Sequence, residues 1–209
     1  MQAYIGLLAG VLSLVAYGIY IYKIWLGNTR PSRSSWWILT VVWVVVLFSS
    51  VSVGTEGEFG YWTSYVQRGI QVAYIFGSFG VAISTLWRGS PDTWGIWDWL
   101  CAIFAGIALI LFAVLGSEYH FISLILAIFA DFFGIAPTIR NAYRYPQHED
   151  FIAWMLECIA SFIALFAVSI WAFTVKSAGE FFPILYLVIV NVIITYFIWI
   201  DRRVSKRGN

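Results

Sequence analysis

Residues 119–143 read YHFISLILAIFADFFGIAPTIRNAY. A helix that crosses the roughly 30 Å of membrane hydrocarbon needs about 20 mostly apolar residues. This stretch supplies them, with one acid, Asp131, near its middle and one proline, Pro137, less than two turns further on. The run is too long for a barrel strand and does not alternate between apolar and polar residues. Stretches of the same kind lie on either side, at 3–25, 35–54, 62–87, 96–116, 150–175 and 181–200. Together they occupy nearly all of the 209 residues and leave no room for a soluble domain. The expected fold is an all-α integral membrane protein with seven transmembrane helices.

Composition agrees. Hydrophobic residues make up 61% of the chain and charged residues 11%, against roughly 25% charged in soluble domains. A net charge of +1 gives no basic excess for a nucleic-acid partner. The partners expected are the lipid bilayer and a small-molecule solute, and a homo-oligomer is compatible with this class. Cys101 and Cys158 fall in apolar stretches and read as small core residues, with neither metal-ligand spacing nor a disulfide framework. No HExxH motif, phosphate loop or nucleophile elbow is present, so neither an enzyme nor a cofactor is expected. The first apolar stretch lacks a basic leader and is followed by basic residues, as in a retained helix rather than a cleaved signal.

Lys and Arg set the expected orientation. Lys23, Arg30 and Arg33 flank the first connection, Arg88 the third, Arg140 and Arg144 the fifth, and Arg202, Arg203, Lys206 and Arg207 fill the tail. The other connections hold Lys176 with Glu56, Glu58, Glu118 and Glu180. The positive-inside rule places the basic connections in the cytoplasm, which predicts N-out and C-in.

The chain also reads as a duplication. Residues 18–48 and 134–166 both open on Gly-Ile, and a basic residue follows (Lys23, Arg140). Next come a proline-containing loop (Pro31, Pro146), a tryptophan (Trp37, Trp154) and Leu-Phe (Leu47-Phe48, Leu165-Phe166). This divides the chain into a first three-helix repeat (1–90), a linker helix (91–117), a second three-helix repeat (118–200) and a basic cytoplasmic tail (201–209). Such internal repeats are a transporter signature, with the site at the repeat interface near the midplane.

Ionisable residues inside a membrane are costly and usually face the bundle interior. Asp131 shares a helical face with Ala127, Gly134 and Thr138, and Pro137 frees the Phe133 carbonyl beside it. This reads as a proton- or solute-binding carboxylate at a hinge (Pro137, Gly134), or else as a structural acid. Glu157, with Trp154, Cys158 and Ser161 on its face, is expected a third of the way in from the cytoplasmic side, as a solvated acid or a helix-packing group. Arg68 is expected two turns inside helix 3, in a polar stripe of Ser64, Gln67, Gln71 and Ser78. There it could bind a carboxylate-bearing solute, neutralise Asp131 or snorkel to the headgroups. Asn191 is a neutral partner at the depth of Asp131. Tyr17 and Tyr20, with Gly6, Gly10 and Ser13, complete a ring, and the Gly6–Gly10 pair reads as helix packing. Arg140, Arg144, His148, Glu149 and Asp150 form a cytoplasmic cluster, either solvated anchor chemistry or a gate of ion pairs.

Seven helices in a 3+1+3 arrangement, with these motifs, resemble the PQ-loop/SWEET superfamily. The resemblance is nearest to small bacterial seven-helix membrane proteins of that type. It runs through Asp131, Gly134, Pro137, Thr138, Ile139 and Arg140 in the second repeat, and Gly27, Thr29, Arg30, Pro31, Ser35 and Trp36 in the first. It implies a multi-pass protein of the bacterial inner (cell) membrane that transports or facilitates a small polar solute by alternating access. Asp131, Asn191, Tyr17, Gln71, Glu157 and Arg68 are the candidate solute or proton residues, with proton coupling through Asp131 or Glu157. The first repeat has Tyr20 and Ile21 where the second has its proline, so only the second half carries the hinge. A non-transporting receptor, sensor or scaffold is the alternative.

Overall fold

A computed structural model describes residues 2–29, 31–54, 65–66, 68–89, 95–115, 117–168 and 175–207. Among them the chain forms seven α-helices and no strand: α1 (Gln2–Trp25), α2 (Arg33–Gly54), α3 (Gly69–Arg88), α4 (Ile96–Val114), α5 (His120–Arg144), α6 (Phe151–Leu165) and α7 (Val175–Arg207). Short 3-10 turns at Ser117–Tyr119 and Pro146–His148 lead into α5 and α6. Six of the helices are long and apolar enough to cross a membrane, and α6 is the exception. The protein is therefore a helical membrane-embedded chain. Its outer faces agree: Phe76, Ile96, Val114 and Phe166 are all more than 60% exposed, a pattern suited to lipid and unfavourable in water.

Three boundaries differ from the sequence expectation. α6 has 15 residues, about 22 Å at 1.5 Å per residue, rather than the span 150–175. It closes in a tightened turn, with Phe166 N–H donating to Ile163 and Ala167 N–H to Ala164, the i→i−3 pattern of a helix terminus. Residues 169–174 lie outside the described residues. α7 has 33 residues instead of the 20 or so from 181 to 200, and absorbs most of the expected tail. No glycine or proline follows Pro183 until Gly208, and Arg203 folds back over the Trp199 ring at 3.7 Å. α3 begins at Gly69 with Arg68 as its N-cap residue, so Arg68 stands at the helix end rather than two turns inside it. Ser64 and Gln67 of the expected polar stripe lie outside the described residues.

The helices pack in a closed order. α3 lies against both α1 and α2, which share no substantial contact with each other among the described residues. α7 likewise lies against both α5 and α6. Between these triples, α1 packs on α6 and α2 on α5. Exchanging α1 with α5, α2 with α6 and α3 with α7 maps these neighbours onto themselves. The match breaks at one place, where α2 packs broadly on α7 while α3 barely meets α6. α4 stays outside the ring, on α5 and α2.

Small residues set the closest crossings. A Cβ on Gly10 would collide with the Gly69 backbone, and one on Gly69 with the Gly6 carbonyl, so the Gly6–Gly10 pair seats the start of α3 directly on α1. A Cβ on Gly134 would strike Leu39 and Cys101, so Gly134 lets α5 approach α2 and α4. α5 runs unbroken through Pro137.

The two ends of the bundle differ. At the basic end, Asp98 accepts from Ser34 (2.9 Å), Ser35 (2.8 Å) and the Gly95 N–H (2.9 Å), which ties the starts of α2 and α4 together. Arg33 donates to the Thr85 and Leu86 carbonyls, each at 3.2 Å, satisfying the last turn of α3. At the opposite, acidic end, Arg68 meets Glu180 at 3.0 Å and donates to the Ser50 carbonyl at 3.2 Å.

Candidate functional site

Between the two triples lies a cavity of about 30 Å³. Every helix except α4 contributes to its wall: Tyr17 and Tyr20 from α1, Trp36, Leu39 and Trp43 from α2, Tyr74 and Ser78 from α3, Asp131 and Ile135 from α5, Ala153, Trp154 and Glu157 from α6, Leu187, Val190 and Asn191 from α7. This volume is enough for water and too small for a solute the size of a sugar or amino acid unless the walls move.

Aromatic rings make most of the lining. Trp43 packs on Tyr74 with ring centres 4.6 Å apart, and Tyr74 stands edge-on to Tyr17 at 5.4 Å. Tyr20 lies between Trp36 (5.9 Å) and Trp154 (6.0 Å). Trp36 and Trp154 therefore stand on facing helices of the two triples over the same space. Trp36 is buried, whereas the neighbouring Trp37 is 37% exposed.

Two acids sit within this shell, each bonded across the seam between the triples. Asp131 accepts from the Tyr186 hydroxyl of α7 at 2.6 Å and from the side chain of Trp43 on α2. Glu157 accepts from Ser13 of α1, with both oxygens at 2.9 Å, and bonds the Tyr74 side chain. Asn191 donates to the Tyr74 hydroxyl at 3.0 Å, and Ser161 donates to the Glu157 carbonyl at 2.8 Å. Both carboxylates are about 5% exposed, and neither forms an ion pair among the described residues. Both buried carboxylates are satisfied by neutral hydrogen-bond donors rather than by a cation.

Four of the sequence candidates, Asp131, Asn191, Tyr17 and Glu157, thus line a single space. Glu157 meets Ser13 in the middle of α1. The other two candidates lie elsewhere. Arg68 and Gln71 border a separate space of about 10 Å³ at the acidic end, with Ala164, Val168, Glu180 and Ile184. Gln71 accepts from Ser50 at 2.8 Å. Arg68 is buried and paired with Glu180, so it neither neutralises Asp131 nor snorkels to the surface.

Sequence reasoning missed Tyr74, Trp36, Trp43 and Tyr186. Trp43 carried a readable signal, since it lies mid-helix, away from the interfacial depth that tryptophan favours. Tyr74 and Tyr186 carried none beyond being aromatic. Glu149, expected either as a solvated anchor or as part of a gate of ion pairs, accepts from the Trp154 indole N–H at 3.0 Å and the Tyr20 hydroxyl at 3.3 Å. Glu180 was read as a loop acid and is the partner of Arg68. Comparison with family models, with curated proteins and with solved structures gives no match to this chain.

Proposed function

We propose that this chain is a membrane transporter or facilitator of a small polar solute, resembling the PQ-loop/SWEET superfamily and built as two parallel three-helix repeats (α1–α3, α5–α7) joined by α4. In this reading the basic end faces the cytoplasm of a bacterial cell, the N-terminus lies outside and the C-terminus inside, and α6 belongs to the seventh span. One observation carries the proposal: six helices from two equivalently ordered triples converge on one aromatic cavity with two uncompensated acids, while the seventh helix stays out. A solute that donates hydrogen bonds and presents a flat apolar face suits such walls. Because the cavity is closed down, binding has to widen it, and rocking of one triple against the other is the motion that does so. Asp131 or Glu157 carries a coupling proton, and Pro137 beside Asp131 is the hinge.

The test is a thermal-shift screen of the purified protein against sugars, amino acids, nucleosides and vitamins at pH 5.5 and 7.5, beside Asp131→Asn. A solute that raises the wild-type melting temperature and not that of the variant places binding at Asp131 and leads to flux assays in liposomes. No response to any solute, with the variant indistinguishable from wild type, makes Asp131 structural. That outcome favours the second reading, a receptor, sensor or scaffold, which the buried Arg68–Glu180 closure at the acidic end supports because it leaves an approach from one side only.

A further inference from the structure

A third space, of about 290 Å³, opens at the basic end, bordered by Lys23, Asn28, Thr29, Gln147, Glu149 and Asp150. Tyr20 and Trp154, which wall the central cavity, turn their polar atoms toward this vestibule and converge on one acceptor, Oε2 of Glu149. Tyr20 belongs to α1 and Trp154 to α6, so this three-residue contact spans the seam between the triples and separates the two spaces.

We propose that Glu149 is a proton-binding site that operates the closure between the central cavity and the basic-end vestibule. Protonated, it stays folded against Tyr20 and Trp154 and holds the cavity shut. Ionised, it swings into vestibule water and releases both rings.

The direction follows from the surroundings of the carboxylate. Its hydrogen-bond partners are neutral. Lys23, the nearest cation of α1, is drawn instead to Asp150 at 3.6 Å. Asp150, at the start of α6, opposes a second negative charge. His148, in the preceding turn, stacks on Tyr145 with ring centres 5.9 Å apart. Arg33 of α2 is engaged with the Thr85 and Leu86 carbonyls. Arg140 and Arg144 of α5, and Asp201 of α7, are exposed and form no ion pair with Glu149 among the described residues. Glu157, further along α6, is occupied by Ser13. Glu149 is half-buried, and the partial withdrawal of its carboxylate from water raises its pKa from 4.5 to about 7, against the opposing pull of its two donors. The closed state holds the proton up to about pH 7, while an acid released into water loses it near its ordinary value. Protonation thus favours closure, and that preference fades as pH rises through 7. With those two values, the open-to-closed ratio rises about tenfold between pH 6 and pH 8.

This inference rests on the transport reading for its purpose alone, because access can be measured without flux. The reporter is Ser78→Cys, on the cavity wall, in the full chain carrying Cys101→Ala and Cys158→Ala and held in nanodiscs. Its rate of labelling by a membrane-impermeant thiol reagent is divided by that of the exposed Asn141→Cys, which removes the pH dependence of the thiol itself. The expected ratio rises about tenfold from pH 6 to pH 8. Glu149→Gln, permanently neutral and still an acceptor, labels slowly at both pH values. Glu149→Ala labels fast at both. Tyr20→Phe, which keeps the acid and loses one tether, labels faster throughout and retains the rise. A wild-type ratio that is flat or falls with pH overturns the proposal, as does a rise that survives in Glu149→Gln. A protein that moves no solute yet shows the expected pattern keeps this closure and loses the transport reading.

Discussion

Arg68 and Lys23 each form an ion pair between helices, and their surroundings make the two pairs unequal. Arg68 and Glu180 have side chains 5% and 13% exposed, and Lys23 is 31% exposed. Taking charges out of water costs free energy that the partner must offset, so truncating one member of a buried pair strands the other. Arg68→Ala is expected to destabilise the folded protein by about 3 kcal/mol. Lys23→Ala, screened by solvent, is expected to cost less than about 1 kcal/mol. Chemical denaturation in detergent micelles, followed by circular dichroism, ranks the two, and equal losses would show that the acidic-end closure contributes no more than a surface contact. The sequence signalled that Arg68 had to be paired but could not name Glu180, 112 positions away in the chain. Hydropathy puts a residue near or within a span, while its partner depends on which helices become neighbours.

Glycine spacing, by contrast, was legible at the level of helices. The Gly6–Gly10 pair predicted a close crossing, and Gly69 of α3 is what crosses there. Gly106 stands without such a partner on α4, and a Cβ at that position meets nothing within 4 Å. Gly10→Ala is therefore expected to cost about 1–3 kcal/mol by forcing α1 from α3. Gly106→Ala is expected to be neutral or to stabilise by about 0.5 kcal/mol through helix propensity. Thermal melting of the two variants checks this contrast, and a Gly10→Ala protein that melts like wild type would remove the crossing from the account of the fold. The existence of helices followed from run length alone. The ends did not follow. α6 stops early and α7 runs on because those boundaries depend on turn geometry and on aromatic–cation contacts such as Trp199 with Arg203, which apolar length does not encode.

For the whole molecule, the transport reading requires the triples to move against each other about the cavity, and the α2–α5 seam provides a place to prevent it. Ser49 near the end of α2 and Ser123 near the start of α5 have hydroxyls 3.2 Å apart, both buried. The pair lies towards the acidic end, well away from Asp131 and Glu157 along their helices. Side chains in contact there place two cysteine sulfurs within reach of each other. Ser49→Cys with Ser123→Cys, in the Cys101→Ala, Cys158→Ala background, is expected to fold and to cross-link under mild oxidation. If the triples rock, the cross-link holds the acidic end shut, and liposome flux of whichever solute stabilises the protein falls to the background of protein-free liposomes. Reduction of the disulfide restores it. The lock leaves the basic-end vestibule untouched, so labelling of the cavity from that side keeps its pH dependence. This separates a blocked cycle from a damaged fold. Unimpaired flux through the cross-linked protein would rule out opening along the α2–α5 seam and move the opening to the other contacts between the triples, first among them the α1–α6 seam, where Tyr20 and Trp154 meet on Glu149.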